Sequence, residues 1–259
     1  MEYEPLKKRL NSLLRKFPGL RKLFYFGLDA LLLRQWYVKR GIKQSLSGKK
    51  VFRFYDAGAG FGQYSFFILQ QYPETEVLAV DLDGEKLSAF AGYCKKYMKA
   101  EVRAETADLQ EYIPAEEQDL IIAVDILEHI EDDLTVLKNF YQGSKPGARL
   151  IISTPYATKE ASFAAEHFRN GYTENDLSEK LGQAGWIIEK LWYSYGFWGN
   201  IAWYLTMRIP LSLLRFKLLL ILLPLYYALV YPFAFLMMTA DFLGKNRKGK
   251  GMVVTAKKR

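Results

Sequence analysis

The stretch Val51-Phe-Arg-Phe-Tyr-Asp56-Ala-Gly58-Ala-Gly60-Phe-Gly62 decides the fold. Residues 51–55 read as a short apolar strand, and the chain then passes through a glycine loop into a helix over about 63–71. Glycines at such a place let the backbone approach a ligand closely, and a helix N-terminus offers free N–H groups. The spacing departs from the dinucleotide fingerprint, which keeps two residues between its second and third glycines. The lead carboxylate, Asp56, would also repel a pyrophosphate. A carboxylate beside a glycine loop suits a cationic or amine-bearing ligand, the alternative being a turn with a purely structural role.

Outward from the loop the pattern is strand, turn, helix, repeated. Residues 77–80 form a strand ending at Asp81, 84–98 a helix, 102–105 a weaker strand ending near Asp108, and 120–124 a strong strand ending at Asp125. A helix over 134–141, a turn at Lys145-Pro-Gly147 and a strand over 150–153 follow. Thr173 with Asp176 makes a capping box for a helix that stops at Gly185, and 186–192 and 252–255 are further strands. This alternation specifies an α/β, doubly wound, Rossmann-like sheet, mostly parallel, with helices on both faces. One strand-end Asp is often only a helix cap, but four on successive strands point to a ligand crevice at the carboxyl edge.

Of 259 residues, 36 are Lys or Arg and 28 Asp or Glu, and 50% are hydrophobic, which excludes a disordered chain. The charge is unevenly placed. Residues 1–50 carry thirteen basic and three acidic side chains, 208–259 ten and one, and the block between them thirteen and twenty-four. The basic residues sit among Leu, Phe, Trp and Tyr, a mixture that fits an anionic membrane surface better than nucleic acid. Cys94 is the single cysteine, so no intrachain disulfide can form and a reducing compartment is expected.

Four segments result: a basic amphipathic helical arm (1–49), an α/β core (50–196), a hydrophobic helical insertion (197–248) and a final strand with a basic tail (249–259). In the arm, Leu6, Leu10, Leu13, Leu14 and Phe17 and then Leu20, Leu23, Phe24, Leu28, Leu31 and Leu32 recur at helical spacing on either side of a hinge at Pro18-Gly19. It is either a helix packed on the core or one lying in a membrane interface. No signal-peptide layout is seen. Residues 218–240 contain no charge, a length sufficient to cross a hydrocarbon core, but Pro224 and Pro232 are expected to break the run. If 252–255 completes the sheet, both ends of the insertion lie on one side of a bilayer. It must then form a re-entrant hairpin or rest in one leaflet, unless it is a lid buried on soluble protein.

The chain resembles the class I S-adenosylmethionine-dependent methyltransferases over about 51–192. The resemblance rests on Asp56-Ala-Gly-Ala-Gly-Phe-Gly62, Val80-Asp81-Leu82, Ala107-Asp108-Leu109, Asp125-Ile-Leu-Glu-His129, Lys145-Pro-Gly147 and His167-Phe-Arg-Asn-Gly-Tyr-Thr173. The Leu-Glu-His element is similar to the branch of ubiquinone-type O-methyltransferases and of lipid and natural-product enzymes. The resemblance implies a seven-stranded sheet whose last strand runs antiparallel, with S-adenosylmethionine as cofactor. It places Gly58, Gly60 and Gly62 under the methionine part with Asp56 near the amino group. Asp81 with Leu82 falls at the ribose, Asp108 with Leu109 at the adenine, and Asp125 beside the crevice. Phe61 stands where a smaller residue is common. The Asn/Asp-Pro-Pro-Tyr element of nucleic-acid amino-methyltransferases is absent, which removes nucleic acid as substrate.

Methyl transfer is an in-line displacement in which alignment can supply roughly 7 to 11 kcal/mol. For a hydroxyl acceptor a general base adds about 10² to 10⁴ in rate. His129 and His167, the two histidines of the chain, both fall inside the resembling motifs. His167 is the favoured base, His129 the second, with Glu128, Arg169 and Tyr172 as orienting groups. Each histidine has an alternative structural reading. No metal-ligand spacing occurs. The expectation is a methyltransferase at the cytoplasmic face of a membrane acting on a lipophilic acceptor such as a quinone precursor, polyene or lipid. Its rivals are a soluble enzyme with a hydrophobic lid and a catalytically silent membrane scaffold.

Overall fold

The computed structural model describes residues 12–14, 16–46, 48, 52–157, 168–213 and 221–259. Seven strands form one sheet: β1 Arg53–Ala57, β2 Glu76–Asp81, β3 Val102–Thr106, β4 Gln118–Val124, β5 Ser144–Pro155, β6 Trp186–Ser194 and β7 Gly251–Lys258. Their order is β3-β2-β1-β4-β5-β7-β6, and only β7 runs antiparallel to its neighbours. The order reverses between β1 and β4, which opens a crevice at their carboxyl ends.

Strand side chains alternate between two cores, as a period of two requires. Phe54, Ile122, Ile151 and Val253 face one layer, and Tyr55, Ile121, Ile152 and Val254 the other. The second layer is closed by α5 (Asp133–Gln142) and α6 (Glu174–Gln183), through Val136, Leu137, Phe140, Leu177 and Leu181. The first is closed by α3 (Gln63–Gln71), α4 (Gly84–Tyr93) and two N-terminal helices, α1 (Leu20–Leu31) and α2 (Leu33–Ser45). The expected capping box is present: Thr173 accepts from Asp176 N–H, and the Asp176 carboxylate accepts from Thr173.

Several expectations are narrowed or corrected. Of the two alternatives for the arm, α2 takes the first, since Leu33, Tyr37, Val38, Ile42 and Leu46 are core residues packed with β5 and β7, while Leu6 and Leu10 lie outside the described residues. Pro18-Gly19 does form a turn, but a second break at Leu32 divides the helices. β1 begins at Arg53, with Val51 outside the described residues. The helix expected over 84–98 ends as a π turn at Cys94–Met98. Lys145-Pro-Gly147 lies within the irregular start of β5, where Gly147 takes φ +78°.

The insertion is an antiparallel helical hairpin. α7 (Phe197–Trp203), a π turn (Tyr204–Arg208) and α8 (Ile209–Leu213) lead out, and α9 (Leu223–Leu243) returns. The Tyr226 and Tyr227 hydroxyls donate to the carbonyls of Leu205 and Thr206 at 2.8 and 2.7 Å, and Gly199 N–H donates to Asp241 at 2.9 Å. Neither proline breaks α9. Pro224 sits in its first turn, where no N–H is needed, and the helix continues through Pro232. Asp241, 1% exposed, also accepts from the Tyr37 hydroxyl at 2.9 Å and the Asn246 amide at 3.0 Å, tying the hairpin to α2. On the opposite side Leu225, Leu229, Phe233 and Leu236 form an exposed stripe.

β6 runs parallel to β5, since both are antiparallel to β7. The hairpin therefore leaves the sheet and re-enters it at the carboxyl edge, where the ligand crevice lies.

Candidate active site

The glycine loop is a set of backbone contacts closed from three sides. Gly58 and Ala59 donate to the Val80 carbonyl at 2.9 and 3.0 Å, and Gly60 N–H donates to Asp81 Oδ2 at 2.8 Å. Gly62 (φ +75°) has the Phe90 ring against it, so that a Cβ would stand 2.5 Å from the ring. At Gly60 (φ +54°) a Cβ would meet nothing within 4 Å. At Gly58 (φ +69°) a Cβ would stand 2.7 Å from the Ile126 side chain, so the loop is packed on protein at both ends and open at its middle, the arrangement needed for a backbone cradle under a ligand. From above, α1 holds the loop. The buried Arg21 guanidinium and the Tyr25 hydroxyl donate to the Phe61 carbonyl at 3.0 and 2.5 Å. Phe61, larger than the resemblance expects, packs edge-on against Phe24, with ring centroids 5.2 Å apart.

The four strand-end carboxylates differ in what they leave free. Asp56 is 2% exposed, and its Oδ2 accepts both the hydroxyl (2.6 Å) and the N–H (3.2 Å) of Ser65 in the first turn of α3. Burial pushes its pKa up to about 7, against the Ser65 hydrogen bonds. Asp81 accepts one backbone N–H on each oxygen, from Gly60 and from Asp83 (2.9 Å). Each oxygen keeps a lone pair, so the carboxylate can still accept from a diol. Asp108 is capped by Gln110, through its N–H at 2.9 Å and its side-chain amide at 3.2 Å. Leu82 is 74% exposed beside Asp81, whereas the Leu109 side chain belongs to the core.

Asp125, at φ +50°, carries an ion pair with Arg34 of α2. No spacing rule singles out Arg34, which reaches the crevice from a helix 91 positions earlier in the chain. Its backbone N–H donates to the Tyr195 hydroxyl at 3.3 Å, at the base of the hairpin. Tyr64, two residues into α3, lies beside the Arg34 guanidinium, which opposes the upward push of burial on its hydroxyl.

Of the expected catalytic group, His167 lies outside the described residues. Glu128 is buried on the 3₁₀ turn Leu127–His129, and Thr154 donates to it at 3.3 Å. Burial raises its pKa, while neighbouring His129 and Arg34 pull the other way. Tyr172 is buried, and its hydroxyl bonds to the Asp133 carboxylate and to Arg169 (2.8 Å). Lys180 completes this network on Asp133 at 2.6 Å. Tyr172 and Arg169 also donate to the Leu127 carbonyl, at 3.2 and 3.3 Å, so the network holds residues 169–172 onto α5 and onto the turn that carries Glu128 and His129. Among the described residues no three His, Cys, Asp or Glu side chains gather as a metal site would need.

Residues 55–150 match the family described as "Methyltransferase domain". A 136-residue stretch is 31% identical to phosphoethanolamine N-methyltransferase 3 of Arabidopsis thaliana, covering 50% of this chain. That match spans about a quarter of the plant enzyme's length (26%). Among solved structures, the N-methyltransferase NodS of Bradyrhizobium japonicum, in complex with S-adenosyl-L-homocysteine, aligns with TM-score 0.55 at 13% identity over 89% of this chain and 90% of its own. The [4+2]-cyclase SpnF aligns with TM-score 0.61 at 14% identity over 86% and 80%. The α/β core shares the fold of these solved methyltransferases, and residues 55–150 carry the match to the methyltransferase-domain family.

Proposed function

We propose that the protein is a membrane-associated methyltransferase that moves a methyl group from S-adenosylmethionine to a lipophilic acceptor, at oxygen, on the cytoplasmic face of a membrane. One observation carries the reading. The apolar hairpin is inserted at the carboxyl edge of the sheet, the same edge at which Asp56, Asp81 and Asp125 end their strands.

The residues present fit the cofactor. The open middle of the loop at Gly60 provides the cradle, Asp81 retains acceptor capacity for ribose hydroxyls, Asp108 stands one strand further out for the adenine amine, and Leu82 offers an exposed apolar side chain. When bound, S-adenosylmethionine supplies an electrophilic methyl group. The chain's own part is positioning and the exclusion of water, with His129 next to buried Glu128, and His167, as the groups to take a proton from an acceptor hydroxyl.

For the membrane, α9 is long and apolar enough to cross a bilayer by length and composition, and little of it is buried. A hairpin with both ends at one sheet edge instead rests in one leaflet, presenting Leu225, Leu229, Phe233 and Leu236 to acyl chains. Leu23 and Phe26 of α1 are exposed apolar side chains as well. Basic residues at the hairpin base, Lys245, Arg247 and Lys248, match anionic headgroups.

Calorimetry with S-adenosylhomocysteine and sedimentation with vesicles test the two halves. Micromolar binding of the first and binding to phosphatidylserine-containing vesicles are expected, the latter lost in Leu229→Asp/Phe233→Asp with the melting temperature unchanged. No binding at millimolar S-adenosylhomocysteine favours the silent scaffold. Recovery in the detergent-free soluble fraction with no vesicle binding favours the soluble enzyme.

A further inference from the structure

The buried side chains of α1 are Arg21 and Tyr25, and no aliphatic residue of this helix is buried. α2, by contrast, buries Leu33, Val38 and Ile42. What seats α1 is therefore polar and directional. Both buried groups donate to the Phe61 carbonyl, and Arg21 also donates to the Tyr25 hydroxyl at 3.1 Å. The guanidinium lies over the Phe90 and Tyr93 rings, 5.8 and 5.4 Å from their centroids, and its Nε has no hydrogen-bond partner among the described residues. Among those residues its charge meets a carbonyl, a hydroxyl and ring faces rather than a carboxylate, so the seat is shallow for a buried cation. Leu32, extended between the two helices, gives α1 a hinge.

The other end of α1 is bonded to the hairpin. The Tyr231 hydroxyl of α9 donates to the Ala30 carbonyl at 3.1 Å. Trp36, whose ring packs edge-on against Phe235 of α9 with centroids 5.6 Å apart, donates its indole N–H to the Asp29 carbonyl at 2.7 Å. One helix thus bridges the apolar hairpin and the glycine loop. Its outward face suits a lipid surface. At 3.6 residues per turn Leu23 lies opposite Arg21 and Tyr25, flanked by Leu20 and Phe26, and all three are exposed. Exposed Lys16 and Lys22 accompany them, and Asp29, the acid of α1, is paired with Lys39 at 2.5 Å. Apolar side chains among lysines, with the one acid paired, match an anionic leaflet.

We propose that α1 is a strap through which bilayer docking sets cofactor affinity: with the hairpin in the leaflet, lipid holds Leu23 and Phe26 outward and so keeps Arg21 and Tyr25 on the loop. This rests on the methyltransferase and membrane readings together. Seated, the strap fixes the Phe61 carbonyl, and with it the peptide between Phe61 and Gly62, beside the open middle of the cradle at Gly60. With the strap released, the cofactor itself has to order the loop, at a cost in affinity. Linkage makes the effect reciprocal, so bound cofactor tightens lipid binding by the same factor.

Calorimetry of the full chain with S-adenosylhomocysteine, in buffer and on saturating phosphatidylcholine–phosphatidylserine vesicles, reads the coupling without turnover. Affinity on vesicles is expected to exceed that in buffer by about fivefold or more, with an equal gain in vesicle binding at saturating S-adenosylhomocysteine. Leu23→Asp/Phe26→Asp, at two exposed positions, keeps the wild-type affinity in buffer and loses the gain at lipid concentrations where sedimentation shows it bound. Tyr25→Phe, which removes one bond to the Phe61 carbonyl, stays on vesicles while its gain falls toward unity. Equal wild-type affinity in buffer and on vesicles that sediment the protein overturns the strap and leaves both earlier readings standing. So does a gain undiminished in either variant. A gain that follows protein concentration without vesicles assigns the α1 face to a second copy and overturns the lipid partner. Absence of vesicle binding removes the membrane reading and the strap together, and absence of S-adenosylhomocysteine binding in both states removes the methyltransferase reading and the strap.

Discussion

The buried carboxylate of Asp241, near the end of α9, accepts the backbone N–H of Gly199 at 2.9 Å. That bond closes the hairpin at its base, and the Tyr37 hydroxyl and Asn246 amide converge on the same side chain. Asp241→Ala strands the buried Gly199 N–H and takes one acceptor each from Tyr37 and Asn246, which keep the Asp241 carbonyl, and is expected to cost about 1 to 3 kcal/mol in urea unfolding. Asp241→Asn keeps an oxygen that accepts from Gly199 and should lose less.

The glycine loop separates stability from binding. In Gly62→Ala the new methyl meets the Phe90 ring and the residue must hold φ +75°, so a loss beyond the ~1 to 2 kcal/mol of the left-handed conformation alone is expected by denaturant unfolding. Gly60→Ala bears only the conformational part, φ +54°, because nothing stands within 4 Å. Its methyl enters the open cradle, so S-adenosylhomocysteine affinity should fall more than stability does.

Asp56 sets a pH dependence of known sign. Its pKa in the folded protein, about 7, stands above the ordinary 3.8. The folded state therefore binds the extra proton, and stability falls as pH rises from about 4 to about 7 before levelling. Asp56→Asn can still accept from Ser65 and carries no charge to bury. Relative to wild type, its melting temperature should gain at pH 8 and gain little or nothing at pH 4.

Tyr172→Phe removes a hydroxyl bonded to Asp133, Arg169 and the Leu127 carbonyl (3.2 Å). A stability loss of about 1 to 2 kcal/mol, with S-adenosylhomocysteine affinity unchanged, is expected from calorimetry and unfolding. A loss of affinity with full stability would return Tyr172 to the crevice.

The strands, the glycine loop and the Thr173 capping box were legible because each is written in neighbouring residues. Period-two runs such as Leu120 to Val124 and a cap three residues from its partner need no tertiary knowledge. For α2 the sequence left two alternatives, a helix on the core or one in a membrane interface. Its Arg34, Gln35, Trp36 and Tyr37 look mixed in sequence, and what orders them lies far off: Tyr195 for Arg34 and Asp241 for Tyr37, 161 and 204 positions away. The same distance hid Arg34 from any motif. Pro232 misled for the converse reason, since packing along α7 and the π turn keeps a helix intact where local propensity argues for a break.

β7 lies between β5 and β6 but follows the hairpin in the chain. During synthesis β6 thus has no neighbour to pair with until α9 has already emerged, and the inner strand arrives after the outer one. The ribosome presents an apolar helical hairpin attached to an open sheet before it delivers the residues that seal that sheet. The exposed stripe of Leu229 and Phe233 and the unsealed edge of the sheet are thus apolar liabilities that coincide in time, until β7 closes the second of them.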